Sequence, residues 1–508
     1  MGEGNPPWKP PLDTLVRMHE GGARPDGEWV EEAMSRRRRI GSAMVGVWVL
    51  GGVIGAPGAG SAQPEPCHDP ADAGYASYQC KVTRLRERSF VVVAVPDTGI
   101  NPYHMDFRLP PDNDMVGVPP WEYISGYPKT AEALDLSLDA TSYQEALERD
   151  DDTWDAVDTE HLYYIPGTKI IGAYAEPSAW SPPILDEYGH GTPVASVAAG
   201  LIHGSAPDPD VLLVSIERGD ETITWAAAQP WIDVVSGSFG AVGGLYYLGT
   251  NEDEVSQDAV ERGKVVVFAA GNGASGTALA CDRNTMLMSR IAGPPWIISV
   301  GAVSPRSGQS YCWNSIPPDV SSYGLHWPAA DHRSLGGQRE FGGTSNAAPL
   351  TAGVIAAQIL EARRLFGDTD EGPHGEAALA VAGDGSTIPS QGPLSDGALT
   401  NLEVRETTEK TALPEEFTVE GLQEDLKDCP DNPSQENCLL YTQNLTTPTT
   451  AAYYVYQGYG IVNKASRDRA IAVLKGEQPL PDRSDVDEWM EVRRTVSDLL
   501  WDVLLAND

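Results

Sequence analysis

Short runs of apolar, largely β-branched residues punctuate the chain at Phe90–Val95, Val211–Ile216, Val234–Val235, Val265–Ala269 and Ile297–Val300, each bounded by small or turn-forming residues. None alternates apolar with polar positions, so both faces of each strand must be covered, which is the pattern of buried parallel strands. Segments of helical length lie between them, among them Gly191–Leu201, Glu252–Glu261 and Ala347–Phe366. Strand and helix in alternation predict an α/β fold: a doubly wound, mostly parallel sheet flanked by helices. Ligand chemistry in such a sheet gathers in the loops at the carboxyl ends of the strands.

Two stretches break the alternation and predict long surface insertions. The first covers about 105–165, and its centre, 111–160, carries 14 acidic and 2 basic residues. The second covers 367–450 and is rich in Gly, Pro, Thr and acids. An amphipathic helix returns over Asp485–Leu505, with Trp489, Val492, Val496, Leu499, Leu500, Val503 and Leu504 on one face. The expected organisation is an N-terminal extension over 1–62, a main domain over 63–475 containing both insertions, and a helical extension over 476–508.

With 73 acidic and 35 basic residues the formal charge is −38, which argues against a nucleic-acid partner because phosphate binding needs clustered Lys and Arg. It suits a soluble, self-repelling surface and a salty medium. The one dense basic run, Arg36–Arg39, precedes an apolar Gly-rich stretch from Ile40 to Ile54 and then Ala59-Gly60-Ser61-Ala62. Basic, apolar and small residues in that order predict a secretory signal peptide cleaved after Ala62, by a general or twin-arginine route, with Met34 as an alternative start; an uncleaved anchor and a cytosolic N-terminus are the competing readings. The apolar part is too short and Gly-rich for a membrane span, so no stable span is expected in the mature form. The chain is therefore expected to be secreted, extracellular or periplasmic, and monomeric. All six cysteines lie beyond the cleavage point, and pairing of sequence neighbours is expected: Cys67 with Cys80, Cys281 with Cys312, Cys429 with Cys438. No CxxC or His/Cys cluster points to zinc.

Four segments carry chemistry. The run Val91–Val95 ends in Pro96-Asp97-Thr98-Gly99, placing a carboxylate at a strand end where it can orient an imidazole, although an Asp there also serves as a turn residue. Gly189-His190-Gly191-Thr192 opens a small-residue helix, and glycines on both sides let other backbone approach the ring; a loop or cap histidine reads the same way. Gly342-Gly343-Thr344-Ser345-Asn346-Ala347 puts a serine at a helix entrance, where backbone N–H groups lack intrahelical partners, or where the serine simply caps the helix. Val265–Ala269 runs on through Ala270 and Gly271 to Asn272, whose amide can donate to a developing oxyanion or settle a turn before Gly273.

Together, in the order Asp, His, Asn, Ser, these segments resemble the active-site motifs of the subtilisin-like serine proteases: Asp-Thr-Gly, His-Gly-Thr-x-Val-Ala, Ala-Ala-Gly-Asn and Gly-Thr-Ser-x-Ala-x-Pro. The resemblance implies a serine endopeptidase with Asp97, His190 and Ser345 as catalytic triad and Asn272 in the oxyanion hole, an order known among convergent triads. It also implies that Asp233–Gly240 is the strand whose edge pairs with substrate backbone, with Ser238, Phe239, Gly240, Ala270 and Gly271 bordering the substrate. Ile297–Val303 is similar to a further core strand, and Gly458–Asn463 to the turn before a closing helix. The implied partners are protein or peptide substrates, and the chemistry requires no cofactor. The family often holds structural calcium; the loop Gly200–Pro207 is shorter than the family's calcium-binding loop, which leaves any ligands unassigned. Departures are the 93 positions from Asp97 to His190, Pro193 and Asn346 in place of His and Met, and the 27 residues from Gln63 to Ser89, too few for an inhibitory propeptide domain. The competing expectations are a catalytically silent binding relative and a processing enzyme dedicated to one partner. An esterase would favour Gly-x-Ser-x-Gly, which Ser345 lacks.

Overall fold

In the computed structural model the chain divides into Met1–Gln63 and Pro64–Asp508. The structure describes residues 67–71, 74–176, 184–239, 252–272, 294–308, 318–325, 327–367, 378–383, 385–414, 457–484, 486–492 and 495. The expected signal segment, Gly240, Cys281, Cys312, Cys429 and Cys438 lie outside them.

The helix α1 (Tyr78–Arg86) leads into β1 (Val91–Asp97), the middle of a nine-stranded sheet. The other strands are β2 (Glu132–Ala133), β3 (Tyr163–Tyr164), β4 (Ile170–Tyr174), β5 (Val211–Glu217), β6 (Val234–Gly237), β7 (Val265–Ala269), β8 (Ile298–Val303) and β9 (Val320–Tyr323). Their order is β2-β3-β4-β5-β1-β6-β7-β8-β9, parallel throughout except where β3 meets β4. Register is set by burial on both faces. Val91, Val93 and Val95 face a core shared with α4 (Gly191–Ala199) and α7 (Thr344–Phe366), while Val92 and Ala94 face a core shared with α5 (Asp220–Ala228) and α6 (Glu252–Glu261). This is the doubly wound α/β sheet that the unalternating apolar runs predict. The chain turns from β5 on one side of β1 to β6 on the other, and in doubly wound sheets ligand sites gather at such a reversal, beyond the carboxyl ends of the strands.

The acidic stretch is tied down more firmly than a surface insertion. Its short strands β2 and β3 extend the sheet, α2 (Tyr143–Arg149) and α3 (Asp151–Asp155) follow, and Met115, Val118, Ile124, Tyr127 and Leu134 are buried. Asp150 closes it onto the domain by accepting from Tyr103 Oη (2.8 Å) and the Ser137 N–H (2.7 Å).

The second stretch also differs from the expectation. Its described part forms the antiparallel pair β12 (Ala378–Val381) and β13 (Ala398–Thr400) and then α8 (Asn401–Thr411), with Val404, Thr407, Thr408 and Thr411 buried. On this face Thr408 Oγ1 donates to the Val404 carbonyl (2.8 Å) and Thr411 Oγ1 to that of Thr407 (2.6 Å), while the Thr407 hydroxyl has no partner among the described residues.

The turn 458–463 precedes α9 (Lys464–Leu474), where the Asn463 side chain accepts from Ala465 N (2.9 Å) and Ser466 N (3.1 Å). In the C-terminal helix the buried face is not the expected one. Val486 and Met490 are buried with Trp489 packed beside them, whereas Val492 is 58% exposed; Val496 to Leu504 lie outside the described residues. Cys67 and Cys80 are disulfide-bonded, anchoring the start of α1.

Candidate active site

Two groupings form the site: Asp97 with His190, and Ser345 with Ser238 and, through Thr344, Asn272; no hydrogen bond joins His190 to Ser345 among the described residues. Asp97 ends β1 and is 2% exposed; its Oδ1 accepts from the Thr98 N–H (2.8 Å) and meets His190 Nδ1 at 2.8 Å. With a carboxylate at that distance, Nδ1 carries the proton and Nε2 is left as the basic nitrogen. His190 occupies the capping position of α4, yet its side chain makes no cap bond. Gly191 allows the close fit, since a Cβ there would stand 2.2 Å from the Gly99 carbonyl oxygen.

Burial works against the imidazolium of His190, but the charge and hydrogen bond of Asp97, helped by Asp186 and opposed by Arg218, outweigh it, so the pKa lies above the ordinary value of 6.5. Phe341 presents its ring edge-on to the imidazole at 5.4 Å. It ends β11 (Gln338–Phe341), which pairs with β10 (Trp327–Ala330) in a hairpin.

Ser345 is the second residue of α7, one position inside the helix and not its cap. Its hydroxyl donates to the Ser238 carbonyl (3.3 Å), and Ser238 Oγ donates back to the Ser345 carbonyl (3.0 Å). Its backbone N–H has no partner among the described residues, as expected in a first helical turn. Asn272, just past β7, accepts at Oδ1 from the Thr344 N–H (2.8 Å) and Thr344 Oγ1 (2.9 Å), which leaves its amide N–H₂ as the outward donor. Gly343, at φ 75°, makes room, because a Cβ there would lie 2.8 Å from Asn272 Oδ1. Helices α4 and α7 touch deeper in, at Gly353, whose absent Cβ would stand 2.1 Å from the Ala198 carbonyl oxygen.

Of the expected substrate-bordering residues, Ser238 is buried beside Ser345 and Phe239 packs edge-on to Phe268 at 5.7 Å. Ala270 is buried with its N–H on the Val300 carbonyl (2.9 Å), and Gly271 takes φ 89° to turn the chain toward Asn272. Beside the Gly200–Pro207 loop, for which no calcium ligands were assigned, Asp106 is fully buried and accepts from Ser196 Oγ, Ile202 N (2.6 Å), His203 N (3.3 Å) and His203 Nδ1 (3.0 Å), so its carboxylate fastens the loop. Among the described residues no group of three or more His, Cys, Asp or Glu side chains is arranged to hold a metal ion.

Asp186, which lies in none of the four motif segments, accepts from the entrance of α4. The signal available was an Asp four positions before His190, a capping residue ahead of a helix.

The family described as the subtilase family matches residues 88–370, more than half of the chain, and the chain belongs to it. It is a serine protease of the subtilisin-like class. Solved structures similar to it include a cold adapted subtilisin-like serine proteinase, at 16% identity over 65% of this chain and 84% of that one, TM-score 0.36. They also include the prenylagaramide maturation protease PagA, at 14% identity over 77% and 98%, TM-score 0.39. A third is a point mutant of the protease domain of PatA, at 15% identity over 76% and 96%, TM-score 0.40. Among curated proteins none matches the chain.

Proposed function

We propose that this subtilase is an exported endopeptidase that cuts peptide bonds through an acyl-enzyme, with Asp97, His190 and Ser345 as its triad. The observation that carries the reading is the 2.8 Å bond from His190 Nδ1 to the buried Asp97 carboxylate, which supports Nε2 as the base. The Ser345 hydroxyl turns from the Ser238 carbonyl to Nε2 when substrate enters, since catalytic hydrogen bonds often tighten only in the complex. Nε2 takes the hydroxyl proton as Oγ bonds to the scissile carbonyl carbon, and the carbonyl electron pair moves onto oxygen. The Asn272 amide and the Ser345 N–H donate to that oxyanion. On collapse the C–N bond breaks, His190 hands its proton to the departing amine, and water attacks the acyl-enzyme with His190 again as base. Substrate backbone pairs beside Ser238 and Phe239, with Gly240, Ala270 and Gly271 completing the border; strand pairing tolerates many sequences and favours internal bonds of protein or peptide chains.

Export rests on the order of basic, apolar and small residues over 36–62 and on the Cys67–Cys80 disulfide, a bond that persists in oxidising compartments. No helix among the described residues is long and apolar enough to cross a membrane. The protein works as a monomer and without nucleic acid, in keeping with its net charge of −38.

The test is labelling with a fluorophosphonate probe, alongside peptide-library digestion. The wild type should label and cleave internal bonds. Ser345→Ala should do neither, and Asn272→Ala should lose about 10²–10³-fold in kcat with little change in KM. Folded wild-type protein that neither labels nor cleaves would point to a silent binding relative.

A further inference from the structure

Asp186 is 1% exposed and lies outside the four residues given chemical roles above. Its Oδ1 accepts from Thr98 Oγ1 (2.8 Å), the Gly189 N–H (2.7 Å) and the His190 N–H (3.3 Å), and its Oδ2 from the Thr192 N–H (2.8 Å). Thr98 Oγ1, its own proton given to Asp186, accepts from the Gly191 N–H (2.9 Å). The four consecutive backbone donors from Gly189 to Thr192 therefore all end on Asp186 or on the threonine bonded to it. A second tie runs alongside, the Asn101 N–H donating to Thr192 Oγ1 (2.9 Å).

An ordinary helix entrance is satisfied by the side chain at the capping position. Here that side chain is the His190 imidazole, which is turned to Asp97, so the donors would be orphaned without a carboxylate from elsewhere. A plain cap would hold only its own helix. Asp186 also holds Thr98, the neighbour of Asp97 on β1, so one buried carboxylate grips both the turn that carries the orienting acid and the turn that carries the base.

We propose that Asp186, with Thr98 as its relay, is a positioning residue of the peptidase reaction, fixing the Asp97 turn and the His190 turn against each other. This rests on the triad assigned under the proposed function. Asp186 does not touch the reacting atoms; it sets where Nε2 points and adds a negative charge near the imidazole. The charged and titratable groups around His190 are Asp97 on β1, Asp186 before α4 and Arg218 after β5. On the hairpin side, the His332 ring lies against Gly189 and Arg339 donates to the Gly189 carbonyl (3.1 Å).

The experiment measures the fluorophosphonate labelling rate against pH for the full chain and for Asp186→Asn, Thr98→Val and Thr98→Ser, with thermal unfolding of each. In parallel, the imidazole titration of His190 is followed by NMR, which needs no turnover. Asp186→Asn should label on the order of 10²-fold more slowly, the cost of a small misplacement, and both the rate midpoint and the NMR midpoint should move to lower pH. Thr98→Val should slow labelling about 10-fold, and Thr98→Ser, which keeps the hydroxyl, should label like the wild type. Unmoved midpoints in a folded Asp186→Asn variant would reduce the residue to a structural cap and overturn the proposal. If that variant does not fold, equal rates for Thr98→Val and Thr98→Ser would overturn it instead. A wild type that fails to label sinks the peptidase reading by itself, and the NMR comparison still decides the role of Asp186.

Discussion

Lys169 shows how much a single buried charge can matter in this fold. Its side chain is fully buried at the start of β4, and its ammonium donates to the Asp208 carbonyl oxygen at 2.9 Å. Burial pulls its pKa down from 10.5 to about 7, against the pull of Asp208, Asp106 and Asp210. The folded chain therefore binds fewer protons than the unfolded chain between those values, and stability rises with pH across the window. Below about 7 both states are protonated and the penalty is complete. Unfolding should become harder from about pH 7 to 10, before the buried tyrosines, normally near 10.0 and raised here, reverse the slope. Lys169→Met should be more stable than the wild type at pH 6 and should flatten that rise. Denaturant melts at pH 6, 8 and 9.5 check this, and a wild type whose midpoint does not climb would contradict it.

At the same scale the triad letters were legible because each stands beside glycines that admit close backbone contact. Asp186 was not, because an Asp ahead of a helix reads as an ordinary cap, and its bonds to backbone N–H groups and Thr98 leave no further mark in residue type.

Elements were legible where burial on both faces demanded an apolar run. The run Val265–Ala269 is β7 itself, and Phe90–Val95 falls within a residue or two of β1. The expectation missed β4, where Gly172 interrupts the apolar pattern because Val214 Cγ1 would lie 2.8 Å from its Cβ. It also missed β9, Val-Ser-Ser-Tyr, whose Ser322 hydroxyl is buried on the Val462 carbonyl at 2.6 Å. A long-range partner makes Ser322 acceptable inside, and no local pattern announces it, while the buried Ser321 hydroxyl has no partner among the described residues.

The same logic makes Gly353 a test of how α4 and α7 carry the site. Helix propensity alone says that Gly353→Ala should stabilise by about 1 kcal/mol. Packing says the opposite, since the new methyl would stand 2.1 Å from both the Ala198 carbonyl oxygen and Ser205 Oγ. Backbone must move, at a cost of about 1–3 kcal/mol, and the helices bearing His190 and Ser345 are the parts that separate. The expected result is a lower unfolding midpoint together with slower probe labelling, against a neutral Gly74→Ala control, where nothing lies within 4 Å. A stabilised, fully active Gly353→Ala would mean that the helix contact is not what sets their spacing.

Over the whole molecule, net charge is the largest property that no single contact accounts for. The chain carries −38, and much of it is crowded: in 111–160 Asp112, Asp135, Asp151, Asp152, Asp155 and Asp158 are all exposed, with Arg149 the only arginine in that stretch. Arg149 meets two acids, Asp139 at 2.8 Å and Glu145 at 3.7 Å. Exposed pairs of this kind contribute at most about 1 kcal/mol, so they cannot offset the repulsion around them. Folding concentrates those like charges, and added salt relieves it, as the screening length falls from about 10 Å at 0.1 M to about 3 Å at 1 M. Stabilising pairs are screened as well, but the deeper ones, such as the Arg363–Asp233 pair with both side chains 6% exposed, are much less affected. The unfolding midpoint should therefore rise between 0.05 and 1 M sodium chloride on the order of several degrees. An uncharged osmolyte at matched osmolality should reproduce little of the rise, which separates charge screening from solvent exclusion. A midpoint that stays flat or falls with salt would mean that attractive surface pairs outweigh the crowded carboxylates, and the acidic face would then need an explanation other than tolerance of a saline medium.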